Sequence, residues 1–380
     1  METISIGEVC DILNGFAFKS KNYVESGIRV IRIANVQKGY IEDSTPAFYP
    51  KDSAGLDRYM LKSGDLLMSL TGNVGRVAIL EEKFLPAALN QRVACLRMKN
   101  DKVSKKYLFH ILNSDYFEKK CIQSAKGVAQ KNMSTEWLKE YTIPLYSNLE
   151  QAEIVSVLDH VCSVIANREQ ELKKLDELIK ARFNELFENG NYQVEKLGTV
   201  CDKITDGTHK TPTYLNDGIA FISAKNIVNG EIDFTDVKYI SEAEYQEIQK
   251  RCQTAINDIL LSKSGSLGSP AIVKTEERLG LFESLAVLKY DRGRLLPEFL
   301  CEQLKTDRIQ KQFTTGTKGV AIKHLHLGVI ANTDIIVPPL DEQKAFSGFV
   351  KQVNKSKATV QESLNEVKLL FDSLIQNYFG

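Results

Sequence analysis

The chain has 380 residues and a formal net charge of zero, because 49 Lys and Arg residues balance 49 Asp and Glu residues. Its hydrophobic fraction of 43% and charged fraction of 26% are ordinary for a globular protein, which excludes a disordered or collagen-like chain. No stretch approaches the roughly 18 uncharged apolar residues that a membrane span needs. Zero net charge disfavours a purely electrostatic nucleic-acid binder, but it leaves open a specific one with locally placed basic residues.

The N-terminal segment and the cysteines predict a cytoplasmic protein. The segment carries acids where a signal peptide has a basic end and an apolar core. The seven Cys residues are scattered and form no C-x-x-C pair, which is typical of buried thiols in a reducing compartment. At roughly 150 residues per domain, the length predicts two or three domains.

Residues 1–147 are predicted to form an α+β domain. Short β-branched runs such as Arg29–Ala34 alternate with turns rich in Gly, Pro and Asn. Tyr107–Lys120 has the apolar spacing of a helix. The segment holds 21 basic and 16 acidic side chains, a net charge of +5 that is compatible with DNA binding.

Residues 148–190 are predicted to form one long helix. Between Ile154 and Leu186 the apolar positions advance alternately by four and three residues, as in the seam of a coiled coil. Asn148 with Gln151 three residues later resembles a capping box. The segment holds 5 basic and 9 acidic side chains, a net charge of −4, so we do not expect it to bind the DNA backbone.

Residues 191–337 are predicted to be a second copy of the first domain, and Pro297–Phe313 has the apolar spacing of a helix. Gly218–Ile232 repeats the order of Gly27–Ile41, in which a Gly turn, an apolar run, an Asn and another Gly turn follow one another. Residues 191–336 hold 18 basic and 19 acidic side chains, a net charge of −1. The other repeated segments keep the same order: Asp65–Gly75 with Asp258–Gly268, Lys126–Ala129 with Lys318–Ala321, and Glu150-Gln151 with Glu342-Gln343.

Residues 338–380 are predicted to form a second long helix. Its seam from Phe346 to Tyr378 is that of the first helix shifted by 192 residues. The first helix joins the two repeats and the second leaves the second repeat, so antiparallel pairing is expected. At about 1.5 Å per residue the seam is roughly 48 Å long, which predicts a ruler with one domain at each end. Core helices within two compact domains are the alternative.

The sequence contains no recognisable catalytic motif. A G-x-x-x-x-G-K-[ST] loop, a G-x-G-x-x-G after a strand and a G-x-S-x-G elbow are all missing. The Asn-Pro-Pro-Tyr type of motif is missing too, and Val337–Leu340 is its nearest string. His324-Leu325-His326 would place two imidazoles on one face of a strand, but no Cys or carboxylate cluster accompanies them, so no metal site is expected. Together these observations favour a protein that is not itself an enzyme.

Several loop residues are of the types that read DNA. Arg and Lys pair with guanine, Asn and Gln pair with adenine, and Lys also contacts phosphate. A solvated loop is the alternative explanation for each of them. The candidate DNA-binding residues are Lys19, Asn73, Arg76, Lys126, Gln130, Lys131, His209, Lys210, Ser266, Lys318, Lys323 and His324.

The doubled motifs resemble the specificity (S) subunit of type I restriction–modification enzymes over essentially the whole chain. The resemblance implies two target-recognition domains, each reading half of a split DNA site, with two conserved helices setting the gap between the halves. It implies no catalytic activity and no cofactor on this chain. The segments that carry it are Gly15–Ser20, Asp206–His209 with Pro212, the Gly-bounded segments around Asn35 and Asn226, the repeated Lys-Gly-Val-Ala, and the Pro…Glu-Gln start of each long helix.

The implied partners are double-stranded DNA, two adenine-N6 methyltransferase (modification) subunits that bind S-adenosylmethionine, and restriction subunits that use ATP and Mg. We accordingly expect an α+β protein with target-recognition domains at 1–147 and 191–337. The spacer helices at 148–190 and 338–380 would relate these domains by a pseudo-twofold axis. Three alternatives remain: a specificity subunit of a related type II enzyme, a self-contained DNA-modifying enzyme with cryptic motifs, and a spacer protein without base readout.

Overall fold

The computed structural model describes residues 2–125, 132–188, 190–315 and 324–380. The chain divides into two compact units. The first unit comprises residues 1–169 with 362–380, and the second comprises residues 170–361. No helix among the described residues is long and apolar enough to span a membrane.

The first half of the chain contains β1 (Thr3–Ser5), α1 (Ile6–Val9), β2 (Cys10–Asn14), β3 (Ile28–Ile31), β4 (Phe48–Tyr49), β5 (Leu66–Ser69), β6 (Val77–Ile79), β7 (Ala87–Leu89), β8 (Val93–Met98), α2 (Lys105–Leu112), α3 (Asp115–Ser124), α4 (Thr135–Glu140), β9 (Thr142–Pro144) and α5 (Asn148–Phe187). The second half contains β10 (Val194–Lys196), α6 (Leu197–Val200), β11 (Cys201–Asp206), β12 (Ile219–Ile222), β13 (Ile227–Val228), β14 (Glu231–Ile232), β15 (Lys238–Ile240), α7 (Glu242–Gln249), β16 (Ile259–Ser262), β17 (Pro270–Ile272), β18 (Leu279–Leu281), β19 (Leu285–Tyr290), α8 (Pro297–Lys305), α9 (Asp307–Thr315), α10 (Leu327–Ala331), β20 (Asp334–Ile336) and α11 (Leu340–Phe379).

The first unit has a four-stranded antiparallel sheet in the order β2-β8-β5-β6 and a three-stranded sheet in the order β4-β3-β7. Successive side chains of a strand point to opposite faces, so a strand buried on both faces is apolar throughout. In β5, Leu66 and Met68 join a core with α2 and α3, whereas Leu67 joins a core with the smaller sheet. The sheet therefore lies between two apolar layers.

The second unit repeats this topology. Its four-stranded sheet has the order β11-β19-β16-β17 and its smaller sheet the order β15-β12-β18. Strand β16 is likewise apolar on both faces, because Ile259 and Leu261 face one core and Leu260 faces the other. The α+β fold and its duplication are thus confirmed.

The two units differ most in the segment that follows the loop with a buried asparagine, Asn35 in the first unit and Asn226 in the second. Both units have a short antiparallel pairing there, Val36 with Ile41 in the first and the β13–β14 hairpin in the second. The second unit then has helix α7, whereas the first has a 3₁₀ turn at Asp57–Tyr59. The buried Asn is common to both, since Asn35 and Asn226 each accept a backbone N–H and donate to a carbonyl across the loop. The same loop base therefore carries different insertions.

The helices predicted at Tyr107–Lys120 and Pro297–Phe313 are each interrupted. The first divides into α2 and α3 and the second into α8 and α9, because Ser114 and Thr306 adopt extended backbone angles. The Ser114 side chain accepts the Phe117 N–H and begins the next helix. Apolar spacing continues through the break, so the pattern did not reveal it.

In the first unit, the start of α5 packs against the end of α11. Ile154 and Leu158 share a core with Ile375 and Phe379. Further along, Lys368 donates to Glu169 at 2.8 Å. Residue numbers rise along one helix as they fall along the other, so the helices are antiparallel here, as predicted.

In the second unit, the end of α5 packs against the start of α11. Phe183 and Phe187 each lie 5.5 Å, centroid to centroid, from Phe346. The Lys357 ammonium pairs with the Asp176 carboxylate on the facing helix. Both long helices are therefore also part of the domain cores, in addition to joining the two units.

A buried glutamine attaches each long helix to its domain. Gln151 accepts the Ser104 N–H and donates to the carbonyls of Lys102 and Tyr146 at 2.8–2.9 Å. Gln343 makes the corresponding three contacts in the second unit. The repeated Glu-Gln pair is thus a structural anchor.

The capping box at the start of α5 is shifted by one residue from the prediction. Ser147 and Glu150 form it, because the Ser147 N–H donates to Glu150 Oε2 at 2.8 Å and the Glu150 N–H donates to Ser147 Oγ at 3.3 Å. The expected pair of Asn148 and Gln151 does not form it, since Gln151 points into the domain.

Candidate nucleic-acid interface

The same backbone crossing forms the base of the candidate surface in both units. The first-unit crossing joins the Phe16 N–H to the Leu89 carbonyl at 2.8 Å and the Gln91 N–H to the Phe16 carbonyl at 3.0 Å. Thr208 makes the same two bonds with Leu281 and Glu283 at 2.8 and 3.0 Å. These hydrogen bonds therefore show which residues of the two units are equivalent: Phe16 corresponds to Thr208, and Gln91 corresponds to Glu283.

Glycine is required beside this crossing because two backbone segments approach closely. A Cβ on Gly15 would lie 2.3 Å from the Asn90 carbonyl carbon, and one on Gly207 would lie 2.1 Å from the Leu281 oxygen. No side chain fits at these distances. The glycines of Gly15–Ser20 and Asp206–His209 are thus explained by packing.

In the first unit, aromatic side chains cover the crossing. The rings of Phe16 and Phe18 lie 5.0 Å apart, Phe18 contacts Tyr49 at 4.9 Å, and Phe16 contacts Tyr59 at 5.3 Å. Lys19 follows this cluster and is exposed at the start of a 3₁₀ turn. Its ammonium is therefore available to a phosphate or a base.

The Gly72–Gly75 segment is a turn between β5 and β6, as the sequence favoured. Ser69 Oγ donates to the Asn73 carbonyl and accepts the Arg76 N–H, which holds the turn closed. The Asn73 side chain is exposed, whereas Arg76 is half-buried and donates to the Gln37 side-chain oxygen. Asn73 is thus the more accessible of the two candidates in this turn.

In the second unit, a charged cluster replaces the aromatic cover. We name it the Asp206 cluster. The carboxylate of Asp206 accepts from Lys263 Nζ at 2.5 Å through one oxygen and from Arg251 Nη2 through the other. His209 lies with Nε2 3.5 Å from Asp206 and Nδ1 3.1 Å from Glu283. The members of the Asp206 cluster are Asp206, Lys263, Arg251, His209 and Glu283.

Burial and charge act in opposite directions on Asp206. Burial raises the pKa of this carboxyl, but Lys263, Arg251 and His209 more than offset it and hold the pKa below its ordinary value. The side chains of Asp206 and Lys263 are only 4% and 3% exposed. Asp206 is therefore ionised at neutral pH, with a buried ammonium as its partner.

The other second-unit candidates that the structure describes are His324, Lys210 and Ser266. His324 is half-buried, and burial together with Lys263 lowers its pKa. It lies in an irregular segment and not in a strand, so the predicted strand at His324–His326 is wrong. Lys210 and Ser266 are exposed on neighbouring turns. The structure thus brings His209 and His324 together around Lys263, although they are far apart in sequence.

Five of the predicted contact residues lie outside the described residues, and so do both Lys-Gly-Val-Ala segments. The five are Lys126, Gln130, Lys131, Lys318 and Lys323.

Sequence reasoning missed the main members of the Asp206 cluster. Lys263 belongs to a repeated apolar segment, and its counterpart in the first copy is Leu70. Each donates its backbone N–H to an equivalent carbonyl, that of Ser284 or of Arg92. A lysine replacing a leucine within a matching repeat was the available signal, but its partner is 57 residues away in sequence.

A second buried carboxylate is common to both units. Asp65 pairs with Arg97, and its counterpart Asp258 pairs with Lys289. Each of these aspartates also accepts a backbone N–H three residues before it. Because both units keep it, this ion pair belongs to the shared framework.

The second unit also contains a cleft of about 1000 Å³ between α5, the Gly265–Gly268 turn and α8. Its lysines are neutralised by neighbours, since Lys180 pairs with Asp307 and Lys225 pairs with Asp236. Such a cleft has no excess positive charge to attract a phosphate.

Reactive groups are few in the part of the chain that the structure describes. No group of three or more His, Cys, Asp or Glu residues there is placed to hold a metal ion. Burial raises the pKa of Cys10, Cys121 and Cys301 to about 12, so these thiols stay protonated at neutral pH.

Comparison with known proteins gives a consistent result. The family described as the type I restriction modification DNA specificity domain matches twice, at residues 1–177 and 189–369. The EcoBI specificity subunit of Escherichia coli is 25% identical over 408 aligned residues, which cover 98% of this chain and 83% of that protein. The MjaVIII specificity subunit of Methanocaldococcus jannaschii is 32% identical over 203 residues, which cover 52% of this chain and 47% of that one.

Solved structures share the fold. A chain from a study of complex assembly and conformational transition of the type I R-M system aligns with a TM-score of 0.55 at 19% identity, covering 99% of this chain and 97% of its own. The S subunit of a type I restriction-modification system from M. genitalium aligns with a TM-score of 0.50 at 16% identity, covering 100% and 96%. With both halves matched by one family, the chain belongs to the type I restriction-modification DNA specificity family, whose curated relatives are specificity subunits of type I restriction enzymes.

Proposed function

We propose that this chain reads a bipartite, asymmetric DNA site on behalf of a type I restriction–modification complex. Each unit reads one half of the site, and the paired helices α5 and α11 set the gap. The chain docks two adenine-N6 methyltransferase subunits and carries no catalytic activity. S-adenosylmethionine, ATP and Mg are bound by the partner subunits in the cytoplasm.

One observation supports this proposal above all. The two units share the same backbone framework but have different side chains at equivalent positions. The strand pairing aligns Asn14 with Asp206, since each lies opposite an equivalent alanine of the neighbouring strand. Leu70 likewise corresponds to Lys263. Side-chain type decides which base edges can be contacted. Two frameworks with different side chains would therefore read different half-sites.

Exposed leucines that recur in both repeats support two copies of one partner. Leu178 of α5 is 46% exposed and Leu370 of α11, at the same position 192 residues later, is 52% exposed. A leucine exposed at the same position of both repeats is a candidate contact for two copies of one partner. Equivalent positions would bind equivalent methyltransferase subunits.

The charge distribution favours shared DNA binding with those partners. Residues 1–147 have a net charge of +5, whereas residues 191–336 have a net charge of −1 and the first helix segment −4. Phosphate contacts supply most non-specific affinity. The chain would therefore bind DNA weakly alone and tightly within the complex.

Reconstitution tests the proposal. The full chain, its methyltransferase subunit and S-adenosylmethionine are incubated with a random DNA library, and methylated adenines are mapped. We expect one split motif with two different halves and a fixed gap. A continuous motif, or methylation by the chain without its partner, would refute the proposal.

Docking is tested by the mass of the complex. Leu178→Asp and Leu370→Asp should each reduce the bound methyltransferase from two copies to one, and the double variant should bind none. Glu177→Ala, an exposed neighbour on the same helix, is the control. Retention of two copies by all variants would show that the leucines are not the docking surface.

A further inference from the structure

We propose that the Asp206 cluster is the base-reading head of the second unit, with Arg251 as the side chain that pairs with a guanine. This inference rests on the proposed function, because it requires that the second unit faces half of a DNA site. It adds to the proposed function the residue that contacts DNA, the base that it contacts and the ion pair that positions the residue.

The first unit has the same sheet topology without this ion pair. Four of the five members have an uncharged counterpart in the first unit: Asn14 for Asp206, Leu70 for Lys263, Ala17 for His209 and Gln91 for Glu283. The fifth member, Arg251, follows helix α7, in the segment where the two units differ. Burying two charges costs several kcal/mol that their attraction only partly returns. The charged cluster replaces uncharged residues on the same backbone framework. We therefore explain it by the side chains that it exposes at the surface.

The buried pair holds Arg251 in a defined position. Lys263 takes one carboxylate oxygen of Asp206 and leaves the other for Arg251 Nη2. The Arg251 carbonyl also accepts from Lys203 Nζ at 2.7 Å, which fixes the backbone. A guanidinium that is already held loses less conformational entropy when it binds.

The remaining face of Arg251 is free to bind DNA. Its side chain is 53% exposed. Among the described residues, the hydrogen-bonding contacts of this guanidinium all use Nη2, with Asp206 and, at 3.5 Å, with His209, so Nη1 and Nε stay available as donors. Nη1 can donate to the O6 or N7 acceptor of a guanine in the major groove, and a bidentate contact with both acceptors would form when the Nη2 N–H beside His209 turns to the base.

Arg292 provides a matched control within the same unit. Its side chain is 51% exposed and also pairs with a buried carboxylate, Asp258. Asp258, however, belongs to the ion pair that both units share, and Arg292 Nη2 is bound to the Ile256 carbonyl at 2.7 Å. Arg292 therefore closes a turn of the framework and is not expected to read a base.

The test measures base preference at each position of the methylated motif. The full chain with its methyltransferase subunit is reconstituted as wild type, Arg251→Ala, Arg251→Lys, Arg292→Ala and the double variant Asp206→Asn/Lys263→Leu. The double variant copies the neutral pair of the first unit, so it keeps the fold but releases Arg251. Thermal unfolding of each chain checks that the fold is retained.

We expect Arg251→Ala and Arg251→Lys to weaken the preference for guanine at one position of one half-site, on the order of tenfold to a hundredfold. The double variant should weaken the same preference, while Arg292→Ala and the other half-site stay unchanged. A wild-type split motif that both Arg251 variants reproduce in full would overturn this inference alone. A wild-type complex that marks no split motif would overturn the proposed function and this inference with it.

Discussion

Single residues in this protein divide into those that both units keep and those that only one unit has. The kept residues have backbone partners: Asn35 and Asn226 close loops, Asp65 and Asp258 close turns, and the paired glycines allow a crossing. The residues that differ include Lys263 and its counterpart Leu70, which are both buried next to the crossing, the lysine in an ion pair and the leucine in an apolar core. The residues that maintain the fold and the residues that differ between the units therefore lie next to one another.

The crossing glycines should be intolerant of any side chain. Gly15→Ala and Gly207→Ala would place a Cβ within 2.3 and 2.1 Å of backbone atoms that cannot move aside. We expect each to lower the free energy of unfolding by about 3 kcal/mol. Gly348→Ala is the control, because Gly348 lies within α11 with nothing near its Cβ position, and it should stabilise by about 1 kcal/mol. Urea unfolding measures all three; equal stability of Gly15→Ala and Gly348→Ala would contradict the packing explanation.

His110 should make the first unit sensitive to mild acid. Its ring is buried, and Nε2 lies 2.7 Å from the Asp159 carboxylate on α5. Burial lowers the pKa of His110 below its ordinary 6.5, although Asp159 opposes this and Lys106 assists it. The unfolded chain therefore binds more protons in this range. The stabilisation is complete above the unfolded pKa and is lost as the pH falls through the lower folded pKa.

Melting temperatures at pH 7.5 and pH 5 check this sign. We expect the wild type to lose more stability on acidification than His110→Gln, which cannot titrate. His160→Gln, which replaces an exposed histidine on α5 next to Asp159, should behave as the wild type. An identical pH response of all three chains would rule out His110 as a contributor.

At the scale of elements, the long helices were predictable and their attachments were not. The heptad spacing identified both helices and their antiparallel pairing from local sequence. The Glu-Gln repeat was seen, but the buried contacts of Gln151 and Gln343 were missed. Their partners Ser104 and Leu296 each lie 47 residues away in sequence. The breaks at Ser114 and Thr306 were missed because apolar spacing runs through them.

The helix seam should dominate the stability of the first unit. Leu158→Ala removes a fully buried side chain from the core that contains Ile154, Ile375 and Phe379. We expect a loss of about 3 kcal/mol. Val157→Ala, the exposed neighbour on the same turn, should change stability by less than about 0.5 kcal/mol. Denaturant midpoints of the two variants measure the difference, and similar values would mean that the seam is not a continuous core.

At the scale of the whole molecule, the internal repeat made the doubled fold predictable without any structure. Matched motifs in a preserved order are enough to infer two copies of one topology. The candidate DNA surface was only partly predictable. His209 and His324 were singled out, but Lys263 and Arg251 were not, since an ion pair across a sheet depends on burial and on distant partners. The domain boundaries and the individual DNA contacts stay predictions.

The most direct test of two independent reading units is to exchange one of them. Residues 1–147 are replaced by the corresponding segment of another specificity subunit, and the methylated motif of the reconstituted complex is mapped beside that of the wild type. We expect one half of the motif to change while the other half and the gap are preserved. A chimera that folds and assembles, yet changes both halves together or neither, would contradict it.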